Sequence, residues 1–461
     1  MSVVAAFAVP HPPIILSEIG RGEEKKIQKT IDAYRAAMKR AAEYKPDTVV
    51  LTSPHTTMYA DYFHISPGPH AQGDFGRFGA PQVRVAADYD EVFVSELEKR
   101  CGKAGVPAGT MGEQDRNLDH ATMIPLRFLQ EFYTDFRLVR IGLSGLPAKR
   151  HYRLGQCIAE TADALDRRVV FIASGDLSHK LRTDGPYGFA AEGPEFDRIA
   201  TDALGGGDFL KLLELAPEFC ESAAECGLRS YWIMSGAFDR KAVRSELLSY
   251  EGPFGVGYGV AAFQTGEKDD TRNFGERMEA DERRRLSARR AAEDPYVRLA
   301  RLSAETYVRT GRYAPLPDDV PLGMKHTRAG AFVSLKKDGQ LRGCIGTIEP
   351  ARSCVAEEIL YNAVSAAVHD PRFPAVEPEE LPQLVYSVDV LGEPESIESE
   401  AELDPKRYGV IVKNRGRCGL LLPDLAGVDT AKEQVSIARR KANIGPREPV
   451  QLFRFQVVRH Q

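Results

Sequence analysis

Three histidines of the N-terminal half follow short β-branched runs. VVAAFAVPHPP sets His11 after Val3–Val9, TVVLTSPHT sets His55 after Asp47–Thr52, and VVFIASGDLSH sets His179 after Val169–Ala173. Neutral imidazole ligates iron, copper and zinc and titrates near neutrality, so histidines gathered in one place can hold a metal or move protons. A single histidine beside a proline is ordinarily a turn residue. In an open α/β sheet, however, the loops beyond the carboxyl ends of the strands converge on one edge, where ligands bind. Strand-end histidines can meet there without being neighbours in sequence. Of the other histidines in this half, His64 and His70 fall in loops, His151 at a polar helix start, and His120 follows Asp119, a fitting N-cap for ATMIPLRFLQEFY.

The elements that would position these side chains alternate. Val3–Val9, Asp47–Thr52, Arg137–Leu143 and Val169–Ala173 read as strands, and Glu23–Tyr44 and Arg150–Leu165 as helices. In the second helix Leu154, Cys157, Ile158, Thr161, Ala162 and Leu165 recur at helical spacing and define one buried face. The expected fold is an α/β domain with a central mixed or parallel sheet flanked by helices. Asp61–Gly79, rich in Gly, Pro and aromatics, shows neither period and reads as a long loop. Its Arg77 could pair with a substrate carboxylate, although loop arginines are ordinarily solvated.

At 461 residues the chain exceeds one ordinary core, and its composition, 43% hydrophobic and 28% charged, is that of a globular protein. GEKDDTRNFGERMEADERRRLSARRAAED carries both charge signs and almost no aliphatic residue, so it divides the chain into 1–264, a linker at 265–293 that can be a solvated helix, and 294–461. A net charge of -5 gives no general attraction for nucleic acid or anionic lipid. No apolar run is long enough to span a membrane, and no cleavable leader is evident. The 7 cysteines, widely spaced and without a CxxC pair, fit a reducing cytoplasm.

Together VPHPP, TSPHT, LDHATMIPL, SGDLSH and AAECGLRSYWIMSGA resemble the class III extradiol ring-cleavage dioxygenase superfamily, B-subunit type, in order and spacing across nearly all of the first domain. The resemblance implies Fe(II) held by His11, His55 and a third ligand from the late segment. It also implies His179 as acid–base catalyst, Asp176 orienting that ring, and His120 facing a catechol-like substrate. The late segment offers Glu225 and Cys226 side by side. Glu225 would complete the two-histidine, one-carboxylate set that suits Fe(II); Cys226 matches the Memo branch of the superfamily and would favour Cu or Zn. Residue types alone leave both open. The resemblance thus implies an oxygenase, with a Memo-like metal-binding interaction protein as the alternative and a metal-assisted hydrolase as a third reading.

The second domain mixes helices at Tyr296–Thr310 and Cys354–Val368 with strands at Gly330–Lys336, Leu384–Val390 and Leu452–Val458, an α+β order. GQLRGCIGTIEP, NAVSAAVHDPRFPAV, GRCGLLLP and KEQVSIARRKANIG closely resemble the AMMECR-type family over 294–461. Cys344 could serve as nucleophile or ligand, with Arg342 holding an anion and His369 as base. The plainer reading, favoured on sequence, is that the glycines of the motif form turns or bulges and Cys344 packs as a small residue. The joint family context implies a radical S-adenosylmethionine enzyme as partner, and relatives of this kind suggest a homodimer.

Overall fold

Buried β-branched and small residues make Val3–Val9 (β1) and Val169–Ser174 (β8) a parallel pair at the centre of the N-terminal unit. The structure, a computed structural model, describes residues 2–114, 117–337, 339–425 and 427–461. The chain divides into two units, Met1–Asp281 and Glu282–Gln461.

The remaining strands of the first unit are Thr48–Ser53 (β2), Phe63–His64 (β3), His70–Phe75 (β4), Ala80–Asp88 (β5), Ala108–Gly109 (β6), Arg137–Gly142 (β7), Lys241–Glu251 (β9) and Tyr258–Lys268 (β10). They build a six-stranded sheet of order β7-β2-β8-β1-β10-β9. The pairs from β7 to β1 run parallel, and β10 and β9 close the sheet antiparallel. This is the expected mixed sheet. Helix Gln28–Glu43 packs on one face, and helices Ala148–Ala164 and Leu228–Ala237 on the other, so every residue of β2 and β8 is buried. Sheets covered on both faces take such continuous apolar strands.

Two expectations for the first unit change. The predicted helix from Glu23 begins instead as a tight turn, Glu23–Ile27, and becomes α-helical only at Gln28, after a break at the fully buried Ile27. The predicted loop Asp61–Gly79 contains β3, β4 and a short turn at Gly76–Phe78, and β4 forms a hairpin with β5. Ala71 and Phe75 are buried while His70, Gln72 and Asp74 are exposed. That is a strand's alternation, carried by residues that seldom form strands.

The charged stretch after β10 is largely one helix, Phe274–Ala292, with only Phe274 buried. The second unit is α+β. Ala331–Lys337 (β11), Gln340–Gly346 (β12), Leu384–Leu391 (β13), Glu395–Ile397 (β14), Gly409–Asn414 (β15), Arg417–Leu421 (β16), Gln451–Phe455 (β17) and Val457–His460 (β18) form two four-stranded antiparallel sheets, β12-β11-β13-β18 and β14-β17-β15-β16. The single strand expected at Leu452–Val458 is two strands in different sheets. The chain bends at Gln456, whose carbonyl accepts from Gly392 N–H at 2.8 Å. Helices Pro295–Thr310 and Val355–Val368 cover the first sheet, and Ala431–Lys441 packs on the second.

Candidate metal centre

The order β2-β8-β1 makes the ends of these parallel strands adjacent, with strands spaced about 4.8 Å apart. His55 follows β2, Asp176 and His179 follow β8, and His11 follows β1. The outcome is contact: His11 Nε2 lies 3.1 Å from His55 Nε2. His11 Nε2 is also 3.9 Å from Asp176 Oδ2, which is 4.0 Å from His179 Nε2.

Cys226 arrives from the turn between helices Pro217–Ala223 and Leu228–Ala237. Ala224 takes a left-handed conformation (φ 53°) to end the first helix. The turn then lies directly on the end of β8: a Cβ on Gly175 would stand 2.1 Å from Gly227 Cα, so this approach requires glycine. The approach is fixed by two bonds. Cys226 N–H donates to the Asp176 carbonyl at 3.3 Å, and Asp176 N–H donates to Cys226 Sγ at 3.2 Å. Sγ thereby comes 3.7 Å from His11 Nε2.

Among the described residues, the ligand atoms that cluster closely enough to share an ion are His11, His55 and Cys226, and, through the same thiol, Asp176, His179 and Cys226. Glu225 belongs to neither group. Its carboxylate accepts from Leu228 N–H at 2.6 Å, satisfying the start of the next helix, and burial raises it to about 7. Adjacent side chains on a tight turn diverge, and here the thiol is the one that faces the histidines.

The hydrogen bonds around the cluster select its proton positions. Ser174 Oγ–H donates to the Ala121 carbonyl at 2.7 Å, leaving the serine oxygen to accept from His11 Nδ1–H at 3.0 Å. His11 Nε2 then carries the lone pair. The Ala224 carbonyl, 2.5 Å from His179 Nδ1, accepts that ring's proton, which leaves His179 Nε2 as a base. Desolvation lowers His11 well below its ordinary range, reinforced by His55, His120 and His179, and desolvation also lowers His55 and His179. The rings are therefore neutral at physiological pH, as ligands must be. Burial pushes Asp176 up to about 7 and Cys226 well above a free thiol. The side-chain contacts of Asp176 are with the neutral His11 and His179 rings, and no lysine or arginine forms an ion pair with it among the described residues. A buried acid and a buried thiol beside lone-pair nitrogens, without a cationic side chain, are a donor set that a divalent ion fits.

His120 opens helix His120–Leu129. Its neighbour Asp119 caps the helix by accepting from Thr122 N–H at 3.0 Å, and it also accepts from Ser53 Oγ at 2.7 Å at the end of β2. That bond ties the helix start to the strand bearing His55, and the His120 and His55 rings lie 4.3 Å apart. Burial and His55 lower His120 to about 4. Both rings line a cavity of about 780 Å³ that also reaches the β4–β5 hairpin and the buried Arg140. His179 lies outside that cavity wall, beside Asp176. His64, His70 and His151 are elsewhere: His64 bonds the Met111 carbonyl, His70 pairs with Asp88 on the hairpin, and His151 is buried against Phe63.

In the second unit the structure does not gather Arg342, Cys344 and His369 into a site. The Arg342 guanidinium grips Glu380 at 3.1 and 2.8 Å and the Pro374 carbonyl at 2.9 Å, so it is a strut and not an anion receptor. Cys344 Sγ accepts from Ser334 Oγ at 3.1 Å across the β11–β12 pair, while Asp370 holds the Cys344 N–H at 2.9 Å. His369 ends helix Val355–Val368 and packs near Tyr307, with no contact to Cys344 among the described residues. Gly343 lies within β12 beside a register shift, where a Cβ would stand 2.0 Å from the Ala366 carbonyl. The glycine permits close packing of helix on strand.

Residues 5–261 match the family model described as the catalytic LigB subunit of aromatic ring-opening dioxygenase, and 297–460 match the AMMECR1 model. A protein of Clostridium acetobutylicum is 40% identical over 471 residues, covering 100% of both chains. A protein of Thermotoga maritima is 50% identical over 171 residues, 37% of this chain and 98% of its own. Among solved structures, an uncharacterized Pyrococcus horikoshii protein aligns with TM-score 0.34 at 34% identity over 36% of this chain and 88% of its own. An uncharacterized Escherichia coli protein aligns with TM-score 0.37 at 15% identity over 57% of this chain and 99% of its own. Among the described residues, no helix is long and apolar enough to cross a membrane.

Proposed function

The chain belongs to the LigB-type family of class III extradiol dioxygenase and Memo-like proteins through its N-terminal domain, fused to an AMMECR1 domain, and from that premise we propose that it is a non-haem Fe(II) oxygenase acting on a vicinal diol such as a catechol. His11, His55 and Cys226 would hold the metal. The observation that carries the reading is the convergence of their ligand atoms, one of them on His55, which also lines a cavity large enough for an organic substrate.

Bound Fe(II) would supply a redox-active Lewis acid with open coordination positions for a diol and an oxidant. The protein's own groups do the rest. His179 Nε2, with its other nitrogen committed to the Ala224 carbonyl, takes a proton from a diol hydroxyl. Asp176, 4.0 Å away, stabilises the imidazolium so formed and is itself held by His11 N–H at 2.8 Å. His120 stays neutral on the cavity wall and can donate or accept a hydrogen bond from a substrate oxygen. The fused domain would act on the same intermediate or engage a radical S-adenosylmethionine enzyme, and a homodimer is the expected assembly.

Cys226 in place of a carboxylate supports a second reading, a Memo-like protein that binds Cu or Zn for interaction and does not cleave rings, since thiolate favours softer metals. Metal analysis of purified protein, followed by oxygen uptake on a catechol panel, separates the two. Iron with diol-dependent uptake lost in His55→Ala supports the oxygenase. Copper or zinc without uptake supports the second reading and removes ring cleavage.

A further inference from the structure

Apart from the ligand cluster, one more histidine, His64, lines the cavity that His55 and His120 line. We propose that the substrate carries, beyond the reacting diol, an uncharged hydrogen-bond donor such as a hydroxyl, and that His64 Nε2 accepts its hydrogen bond. This rests on the reading of the metal centre as the place where the diol sits.

His64 ends the short strand β3, which pairs with β6. Phe63 N–H donates to the Pro107 carbonyl and Ile65 N–H to the Gly109 carbonyl, each at 2.8 Å, so the backbone on both sides of the ring is fixed. His64 Nδ1 lies 3.1 Å from the Met111 carbonyl. A carbonyl only accepts, so Nδ1 carries the proton and the neutral ring keeps a lone pair on Nε2. Met111 is held in turn: its N–H donates to Tyr62 Oη at 3.3 Å, and the preceding Thr110 N–H donates to Glu98 at 3.2 Å. Burial holds the ring below its ordinary pKa, and the Arg140 guanidinium adds to this against the Met111 carbonyl and Glu113, so the ring is neutral at physiological pH. Nε2 has no hydrogen-bond partner among the described residues.

The side chain is 2% exposed, and it lines the cavity with that remainder. An acceptor so enclosed is costly to leave unpaired once a ligand fills the space, and a site built around it discriminates against an analogue with no proton to donate. The surroundings also select the donor's charge. The buried Arg140 donates from Nε to Ser66 Oγ at 2.6 Å, two residues along the chain from His64, and its positive charge disfavours an ammonium beside the ring. The Nε2 lone pair offers nothing to a carboxylate. An uncharged hydroxyl or amide N–H is the donor that fits.

The test is equilibrium dialysis of the full chain, metal-free and Fe(II)-loaded under anaerobic conditions, with 4-alkylcatechols of graded tail length that end in a hydroxyl or in its methyl ether. At the tail length that reaches His64 the hydroxyl should bind about five- to tenfold tighter than the ether, which has an oxygen but no proton to donate. The preference should fall to about twofold or less in His64→Asn, whose amide N–H can still serve the Met111 carbonyl but which has no atom in place of Nε2. Equal affinity of hydroxyl and ether at every tail length overturns the proposal, as does a preference that His64→Asn leaves unchanged. Should that variant not fold, the comparison of hydroxyl with ether in the parent chain decides alone. A chain whose hydroxyl preference depends on His64, but which takes up no oxygen with any member of the series, keeps this inference and loses the oxygenase reading. Oxygen uptake across the series without a hydroxyl preference does the reverse.

Discussion

His11 Nδ1 and Ser174 Oγ lie 3.0 Å apart, and because the serine hydroxyl is already donated to the Ala121 carbonyl, the bond runs from imidazole to serine. A backbone carbonyl two links away thus decides that His11 offers Nε2 as a lone pair to the cluster. Ser174→Ala removes the lock. Metal affinity is expected to fall about 10- to 100-fold, as when an outer partner of a ligating histidine is lost. Competition with a chelator of known affinity measures this. An unchanged affinity would mean the tautomer is fixed by other means.

The thiol and the carboxylate of adjacent residues have separable jobs. Cys226→Ser should lose metal while folding normally. Glu225→Gln should keep full metal stoichiometry, because Glu225 serves Leu228 N–H and is not among the clustered ligand atoms. Its cost should appear in thermal stability, on the order of 1 kcal/mol for a weakened helix-start hydrogen bond. Atomic absorption and thermal melts on the two variants decide it; metal loss in Glu225→Gln would reassign the third ligand.

Why that assignment was hidden is physical. His11, His55 and His179 were legible because each follows a buried β-branched run, and parallel strands deliver their ends to one edge. The choice between Glu225 and Cys226 depends on the left-handed Ala224 and on the contact of Gly175 with Gly227, residues far apart in sequence whose proximity no periodicity reports. Asp176 was read as an orienting group, but only the geometry adds that its carboxylate shares a cluster with Cys226 and His179. The β4–β5 hairpin was missed for a different reason. Gln72, Gly73 and Asp74 are poor strand formers held by pairing with β5, so tertiary context outweighs propensity there. In the second unit the sequence already favours a packing role for the motif around Cys344 over a chemical one, and the structure supplies the partners: Gly343 answers to the packing of Ala366 and Arg342 to Glu380.

The Arg342–Glu380 pair gives a pH signature of stability. Burial tends to raise Glu380, but Arg342 and Lys337 outweigh it and hold the carboxyl at about 2. A carboxyl lower in the folded state than in the unfolded one stabilises above its unfolded value, near 4.3, and the contribution is lost as pH falls toward 2. Partial solvent screening limits the effect to about 1–2 kcal/mol. Glu380→Gln should therefore lower denaturation midpoints at pH 7 and converge with the parent chain near pH 2. Urea melts across that window check it. A constant difference at every pH would show that the ion pair is not the source.

His179 and His120 face the cluster from different sides and should fail differently when replaced. His179 Nε2 is the base beside Asp176, and neither neighbouring carbonyl nor serine can take over its proton, so His179→Gln should retain metal and diol binding while turnover falls about 10²- to 10⁴-fold, the usual share of a general base. His120 lines the cavity against His55 and Phe78, and His120→Gln keeps a hydrogen-bonding group in place, so its effect should fall mainly on KM. Steady-state oxygen uptake on the best diol gives kcat and KM for both. If the two profiles exchange, with His120 controlling kcat and His179 only KM, the proton is handled from the cavity wall and the pairing of His179 with Asp176 serves to hold the cluster together.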